Sequence, residues 1–324
     1  MREAKRVLVT GGAGFIGSHV VDRLVADGYE VRIIDNLSAG KLENISGHLK
    51  RGSVDFIEGD VRRASVVEKS VEDVDVVLHL AAVTSVALSV ENPRFTFAVN
   101  VKGTVNLLRS CAKKKVGKFL FASSTAVYGE PKFLPITEEH PMNPISPYAE
   151  SKLASEKFCL GFHEKQLLRS VVLRLFNVYG PRQGVNDYNG VISQFIDRVR
   201  RGLPLVIHGD GWQTRDFVNI RDVVKAVLNA MESEYAEGNV FNIGIGVPTS
   251  INELAESLLG SAGLNLQVLH EEPRLGDITH SYADISKAKK LLGYRPTVSL
   301  KTGLRTLLAE NKVVTTASTE CWQS

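Results

Sequence analysis

The stretch Thr10-Gly11-Gly12-Ala13-Gly14-Phe15-Ile16-Gly17 constrains this chain more than any other. It follows a short β-like run, Arg6 to Thr10, and leads into apolar residues spaced i, i+4, i+8 at Ile16, Val20 and Leu24. Gly12, Gly14 and Gly17 satisfy a G-x-G-x-x-G spacing. Glycines so placed permit a tight turn, let backbone approach a pyrophosphate, and seat the following helix close to its strand. The helix N-terminus then offers free N–H groups to the anion. Asp35 stands 18 residues beyond Gly17, at the end of a second strand candidate. A carboxylate there accepts hydrogen bonds from a ribose 2′-hydroxyl and repels a 2′-phosphate, which favours NAD over NADP. The glycines alone leave FAD open.

Short apolar runs then alternate with helical periodicity through the first half, the pattern of a parallel sheet covered on both faces. Strands are predicted at Arg6 to Thr10, Glu30 to Ile34, Val54 to Glu58, Val74 to Leu80, Lys118 to Ala122 and Ser170 to Leu175. Long helices are predicted from about Arg94 to Lys115 and from about Pro147 to Gln166. Beyond Tyr179 the elements shorten and turn residues multiply, with helices predicted at Val191 to Arg201, Arg221 to Met231, Ile251 to Leu259 and Ser286 to Leu292. The expected architecture is α/β: a Rossmann-type doubly wound parallel sheet with a smaller, mixed α/β substrate-binding domain. The first would take residues 1–178 plus about 216–244, the second about 179–215 plus 245–312, leaving a loosely held tail at 313–324.

Composition excludes several other classes. Lys plus Arg number 39 against 36 Asp plus Glu, a net charge of +3, too small to make nucleic acid an expected partner. The basic run Lys113-Lys114-Lys115 reads as a solvated helix end. Cys111, Cys159 and Cys321 form neither a disulfide framework nor a zinc spacing, and no metal site is expected. No apolar stretch is long enough to span a bilayer, and the one near the N-terminus is strand-length. A reducing, cytoplasmic compartment without membrane contact is expected.

Tyr148 and Lys152 stand at i and i+4 near the start of a predicted helix, so they project from one face. An ammonium beside a phenol stabilises the phenolate, and lowering the tyrosine's pKa would make it a usable general acid/base. Ser123 and Ser124 end a predicted parallel strand, where open α/β sheets place their ligands. A serine hydroxyl there can hold the oxygen that the tyrosine deprotonates.

These motifs, with Asp35-Asn36-Leu37, Gly59-Asp60-Val61, His79-Leu80-Ala81-Ala82, Ser123 to Gly129, Tyr148 to Lys152 and Arg174 to Arg182, together resemble the extended short-chain dehydrogenase/reductase family. Within it the likeness is greatest to NAD-dependent UDP-sugar 4-epimerases, the branch typified by UDP-glucose 4-epimerase, and it covers the chain to about Leu308. The resemblance implies a UDP-hexose 4-epimerase interconverting UDP-glucose and UDP-galactose through a transient 4-keto sugar. It implies that Gly11, Gly14, Phe15, Ile16 and Gly17 cradle the pyrophosphate of NAD, and that Asp35 and Asn36 hold the adenosine ribose. Asp60 and Val61 would flank adenine, with Leu80, Ala81, Ala82, Asn100 and Ser123 along the dinucleotide and Phe176 near the nicotinamide. Ser124, Tyr148 and Lys152 would be catalytic, the lysine also gripping the nicotinamide ribose.

On the substrate side the same resemblance points to Asn177, Val191 in Asn189-Gly-Val-Ile192, His208, Arg215, Arg274 in Pro273-Arg-Leu-Gly-Asp277, Asp277 and Ser281. Arg215 and Arg274 would clamp the UDP diphosphate, a role suited to the planar guanidinium. Ser281 would set pocket width, its small side chain leaving room for an N-acetyl group and so admitting UDP-GlcNAc and UDP-GalNAc. Relatives that dehydrate the sugar carry an acidic pair after the catalytic hydroxyl residue, and UDP-glucuronate decarboxylases have a glutamate at the second of those places; here the two residues are Thr125 and Ala126. A UDP-glucuronate 4-epimerase or a non-catalytic NAD-binding module are the alternatives. Trp212 and His163 are expected to be structural or surface residues. The two long helices resemble those that pair across a two-fold axis, so a homodimer is expected.

Overall fold

The computed structural model describes residues 5–184, 190–274, 276–311 and 313. Six predicted strands form where expected: β1 (Arg6–Thr10), β2 (Glu30–Asp35), β3 (Val54–Glu58), β4 (Val76–His79), β5 (Lys118–Ser124) and β6 (Ser170–Leu175). A seventh, β7 (Val240–Ile243), joins them, and the order across the sheet is β7-β6-β5-β4-β1-β2-β3, all parallel. This is the Rossmann-type doubly wound arrangement. Both faces are covered, so β4 and β6 are buried at every residue, which suits their largely apolar runs. Strand order reverses between β1 and β4, and α/β folds place ligands outside the strand C-termini at such a point.

Helix α1 (Phe15–Ala26) packs Val20, Val21 and Leu24 beneath the sheet. The predicted Arg94 to Lys115 helix is not a uniform α-helix. Pro93–Phe97 runs into a π-helical turn at Ala98–Lys102, then continues as α2, Gly103–Lys114. π turns concentrate at functional sites. Here the turn exposes the Asn100 carbonyl to two side-chain donors, the hydroxyls of Thr104 and of Ser155 at 2.9 Å. Helix α3 (Pro147–Glu164) starts with Ser146 accepting from the Ala149 amide at 3.2 Å and with Pro147 in its first turn, both standard start signals. It ends at Glu164 because Gln166 takes a left-handed φ of 54°.

A separate small core gathers Ile192, Phe195, Leu205, Leu254, Leu258 and Leu304. It includes Leu300–Glu310, a helix absent from the sequence expectation. Three two-stranded pairings bind this region, among them Thr214–Arg215 with Thr249–Ser250. Asp216 ties it to the large sheet by accepting the amides of Ile245, Gly246 and Ala283 at 2.7, 2.9 and 3.1 Å. Asn189, Leu275 and the tail beyond Val313 lie outside the described residues.

Candidate active site

The glycine turn is packed too tightly for side chains. Gly11 has φ 70°, and a Cβ there would lie 2.9 Å from the Ala81 backbone, so β1 and β4 meet at their C-termini without room to spare. A Cβ at Gly17 would approach the Gly11 carbonyl oxygen to 2.1 Å. The first i→i−4 bond of α1 runs from the Ser18 amide to the Gly14 carbonyl at 3.0 Å, leaving the amides of Phe15, Ile16 and Gly17 ahead of the helical ladder. Thr10 fixes the opposite wall: its hydroxyl accepts from the amides of Leu80 and Ala81 at 3.2 and 3.1 Å and pairs with His79 at 2.7 Å. His79 is bridged by its other nitrogen to Thr104 at 2.9 Å, and burial drives its pKa down to about 3, so the ring is neutral.

Asp35 ends β2 buried, accepting the Ala13 amide at 3.0 Å and the Leu37 amide at 2.8 Å. Burial raises its pKa against those two bonds. Asn36 is exposed beside it, and Ala82 is half-buried. Asp60 pairs with Arg62 at 2.6 Å, which holds its carboxyl below the usual range. Three other residues of the expected set are committed inside the protein. Val61 packs under Gly103, and the Asn100 amide spans Val83 at 2.8 and 3.0 Å and Ser151 at 2.9 Å. The Ser123 hydroxyl donates to Glu156.

Ser124, Tyr148 and Lys152 come together where β5 meets α3. The Tyr148 hydroxyl lies near the Ser124 side chain, which acts to lower its pKa. Lys152 reaches across the Phe121 ring, 4.9 Å from its centroid, to donate to the Ala122 carbonyl at 2.8 Å. The expectation that Lys152 lowers the Tyr148 pKa is corrected here. Burial pushes the Tyr148 hydroxyl up, the nearby Ser124 side chain opposes it, and the Lys152 ammonium is directed to the strand end. Lys152 itself is brought down to about 8 by burial. Phe176 is buried in the main core beside them.

The substrate-side residues meet in pairs. Arg215 contacts Asp277 at 2.5 Å, and Arg274 contacts His208 at 3.0 Å. Ser281 is buried, donates its backbone amide to the Thr214 carbonyl at 3.0 Å, and sets its hydroxyl 3.5 Å from that of Thr125. It therefore faces the residue next to Ser124, on a segment that also touches the neighbour of Arg215. Asn177 extends from β6 and bonds the Asp216 carbonyl through its amide at 3.0 Å; Val191 opens the helix Val191–Arg200.

The model of the NAD dependent epimerase/dehydratase family matches residues 7–244. This chain belongs to that family. A UDP-glucose 4-epimerase of Mycolicibacterium smegmatis is 39% identical over 301 residues, 92% of this chain and 96% of that protein. A solved UDP-glucose 4-epimerase with UDP-glucose from Thermotoga maritima superposes with a TM-score of 0.90 at 40% identity, covering 95% of this chain and 98% of that one. A UDP-N-acetylglucosamine 4-epimerase from Methanobrevibacter ruminantium, in complex with UDP-N-acetylmuramic acid, gives 0.89 at 38% identity, covering 95% and 99%.

NAD is the cofactor of this epimerase/dehydratase family member, and the residues present fit it. The unpaired amides of α1 suit a pyrophosphate, the Cβ-free turn admits its close approach, and each Asp35 oxygen retains lone pairs for ribose hydroxyls. Among the described residues no group of three His, Cys, Asp or Glu side chains is placed to hold a metal, and no helix is long and apolar enough to cross a membrane. Sequence reasoning missed Glu156, Arg174, Tyr128 and Asn242, which form a buried network directly behind Ser123 and Lys152. Glu156 lies at i+4 from Lys152, and that spacing was the available signal.

Proposed function

We propose that this family member is a UDP-hexose 4-epimerase interconverting UDP-glucose and UDP-galactose, and that it also accepts the N-acetylhexosamine pair. The observation that carries the reading is the convergence of Tyr148, near Ser124, and Lys152 one turn along α3, anchored to the Ala122 carbonyl at 2.8 Å, beside Thr125 and Ala126. That set can remove and return one proton at one hydroxyl. It holds no second acid at positions 125 and 126 to expel a leaving hydroxyl.

In the proposed reaction Tyr148, acting as the phenolate, takes the proton of the sugar 4-hydroxyl while Ser124 holds that oxygen in line. NAD, when bound, supplies a reversible hydride acceptor. Arg215 and Arg274 grip the diphosphate, and the sugar end stays loosely held, so the 4-keto sugar can turn over and present the opposite face of C4 for reduction, Tyr148 then returning the proton to the 4-oxygen. Lys152 acts as the ammonium. Its protonated fraction falls as pH rises through about 8, so turnover should fall across that range, as a pH–rate profile would show.

The first test incubates the protein, supplied with NAD, with UDP-glucose and separately with UDP-N-acetylglucosamine, following the anomeric protons by NMR. The galacto epimer in each tube is expected. Silence in both would overturn the reading and move the assignment to UDP-glucuronate; silence there as well would leave a non-catalytic NAD-binding module. The small Ser281 side chain opposite Thr125 supports the wider specificity. Ser281→Tyr should lose the N-acetyl activity by more than about tenfold and keep the plain hexose activity, because the ring would fill the space an acetamido group needs.

We assign the NAD-binding part to residues 1–178 plus about 216–244 and the nucleotide-sugar part to about 179–215 plus 245–312, since β7 belongs to the large sheet while the helices Val191–Arg200, Ile251–Ala262 and Leu300–Glu310 share the small core. We place the chain in the cytoplasm as a homodimer paired through α2 and α3. Sedimentation at the monomer mass would refute the pairing.

A further inference from the structure

Behind Ser123 and Lys152 lies a charged cluster that the reaction above does not itself use. Glu156 and Arg174 are each 1% exposed. Arg174 grips the carboxylate twice, Nη2 to Oε2 at 2.7 Å and Nε to Oε1 at 3.0 Å. It also donates to the Tyr128 hydroxyl at 2.8 Å and the Glu138 carbonyl at 3.0 Å, and Tyr128 donates onward to Asn242 at 2.7 Å. The Oε1 atom held by the Arg174 Nε also receives the Ser123 hydroxyl. Lys152, one turn back on the same helix, binds the carbonyl of Ala122, the residue before Ser123. Two bonds from one helix thus pin consecutive residues of the strand end that carries Ser124.

The charges count as well as the bonds. Lys152 and Arg174 are buried cations, and Glu156 lies between their chain segments as a buried anion. The other titratable groups facing Lys152 are Tyr148 and Cys159 from α3, His79 from β4 and Tyr128 from the turn after β5, with Glu138 on the far side of Arg174. His79 is neutral, and burial raises Tyr148, Cys159 and Tyr128 toward their neutral forms. The Glu156 charge favours the lysine ammonium against the burial that opposes it. Buried ion pairs are often replaceable by apolar groups without loss of stability, so stability alone does not account for this one.

We propose that Glu156, held by Arg174, is a positioning residue that keeps Lys152 in its ammonium form and fixes the Ala122–Ser124 strand end against α3. The inference rests on the proposed reaction only for the role of Lys152. Its test reads the lysine directly. In the full chain labelled with 13Cε-lysine, with Lys152 assigned by its loss in Lys152→Arg, the resonance should titrate at about 8.

Glu156→Gln keeps the size and the acceptor for Ser123 while removing the charge. Its midpoint should fall by about one unit or more, a tenfold loss of charged lysine at a fixed pH above the midpoint. Arg174→Met, which removes the competing cation, should move the midpoint upward, and the double variant should return to within about half a unit of the parent. An unmoved midpoint in either folded single variant overturns the proposal, and so does a fall of equal size in all three, which would indicate packing rather than charge. If Glu156→Gln does not fold, the Arg174→Met shift decides. Failure of the sugar-nucleotide reading would appear as silent substrate assays with these titrations unchanged.

Discussion

Tyr148→Phe should lower kcat by about a thousandfold, within the usual range for loss of a general acid/base, while leaving NAD affinity within about threefold of the parent. The ring stays seated, since Tyr148 is buried among side chains that a phenylalanine would also contact. What is lost is the oxygen proposed to exchange the proton of the sugar hydroxyl that Ser124 holds in line. Ser124 remains, with its oxygen still accepting the Ala126 amide at 3.2 Å, so the turn after β5 should not move. Isothermal titration with NAD alongside a steady-state assay separates the two effects. Full turnover in this variant would remove Tyr148 from the chemistry, and lost NAD binding would show that the residue serves the fold instead.

Gly17→Ala should be the most damaging single methyl in the chain's first turn. The added carbon would meet the Gly11 carbonyl oxygen at 2.1 Å and the Gly12 Cα at 2.8 Å, both backbone, so no side chain can swing aside. Either α1 lifts from β1 or the glycine turn opens. Overpacking of this kind costs about 1–3 kcal/mol and at times more. The displacement falls on the amides that face the pyrophosphate, so NAD affinity should drop more than about tenfold beyond any loss of stability. Gly260→Ala is the matched control. Gly260 lies within the Ile251–Ala262 helix with nothing within 4 Å of its added carbon, and relief of backbone entropy should stabilise the chain by about 0.5–1 kcal/mol. Thermal melts of both variants, with and without NAD, would check the contrast. A Gly17→Ala protein that bound NAD normally would refute the assigned close approach.

The features legible in the sequence share one property: they repeat over a few residues. The central strands appear as largely apolar runs because parallel strands covered on both faces bury most of their side chains, while the edge strand β3 buries least. The glycine spacing announces a turn that tolerates no Cβ, and the i, i+4 spacing of Tyr148 and Lys152 places both on one face of α3. The helix Leu300–Glu310 was equally legible, with Ser299 as its cap and Leu300, Leu304, Leu307 and Leu308 at helical spacing, and it was overlooked. Where the expectation failed for a physical reason, the deciding contact came from far away in sequence. The π turn at Ala98–Lys102 is held by Ser155 and by the Val83 backbone, so no local pattern marks it.

The same distinction divides the site. A Rossmann-type sheet, the acidic end of β2 and the shared helix face of Tyr148 and Lys152 follow from local spacing, because spacing along one element sets which face a side chain occupies. Tertiary structure alone decided the state of those residues. Lys152 turns to Ala122 rather than to Tyr148, Ser123 turns inward to Glu156, and Ser281 arrives opposite Thr125 from 156 positions further along. Such outcomes depend on which desolvated charges and hydroxyls find partners when distant segments close together, and that is settled by packing in three dimensions rather than by neighbours in the chain.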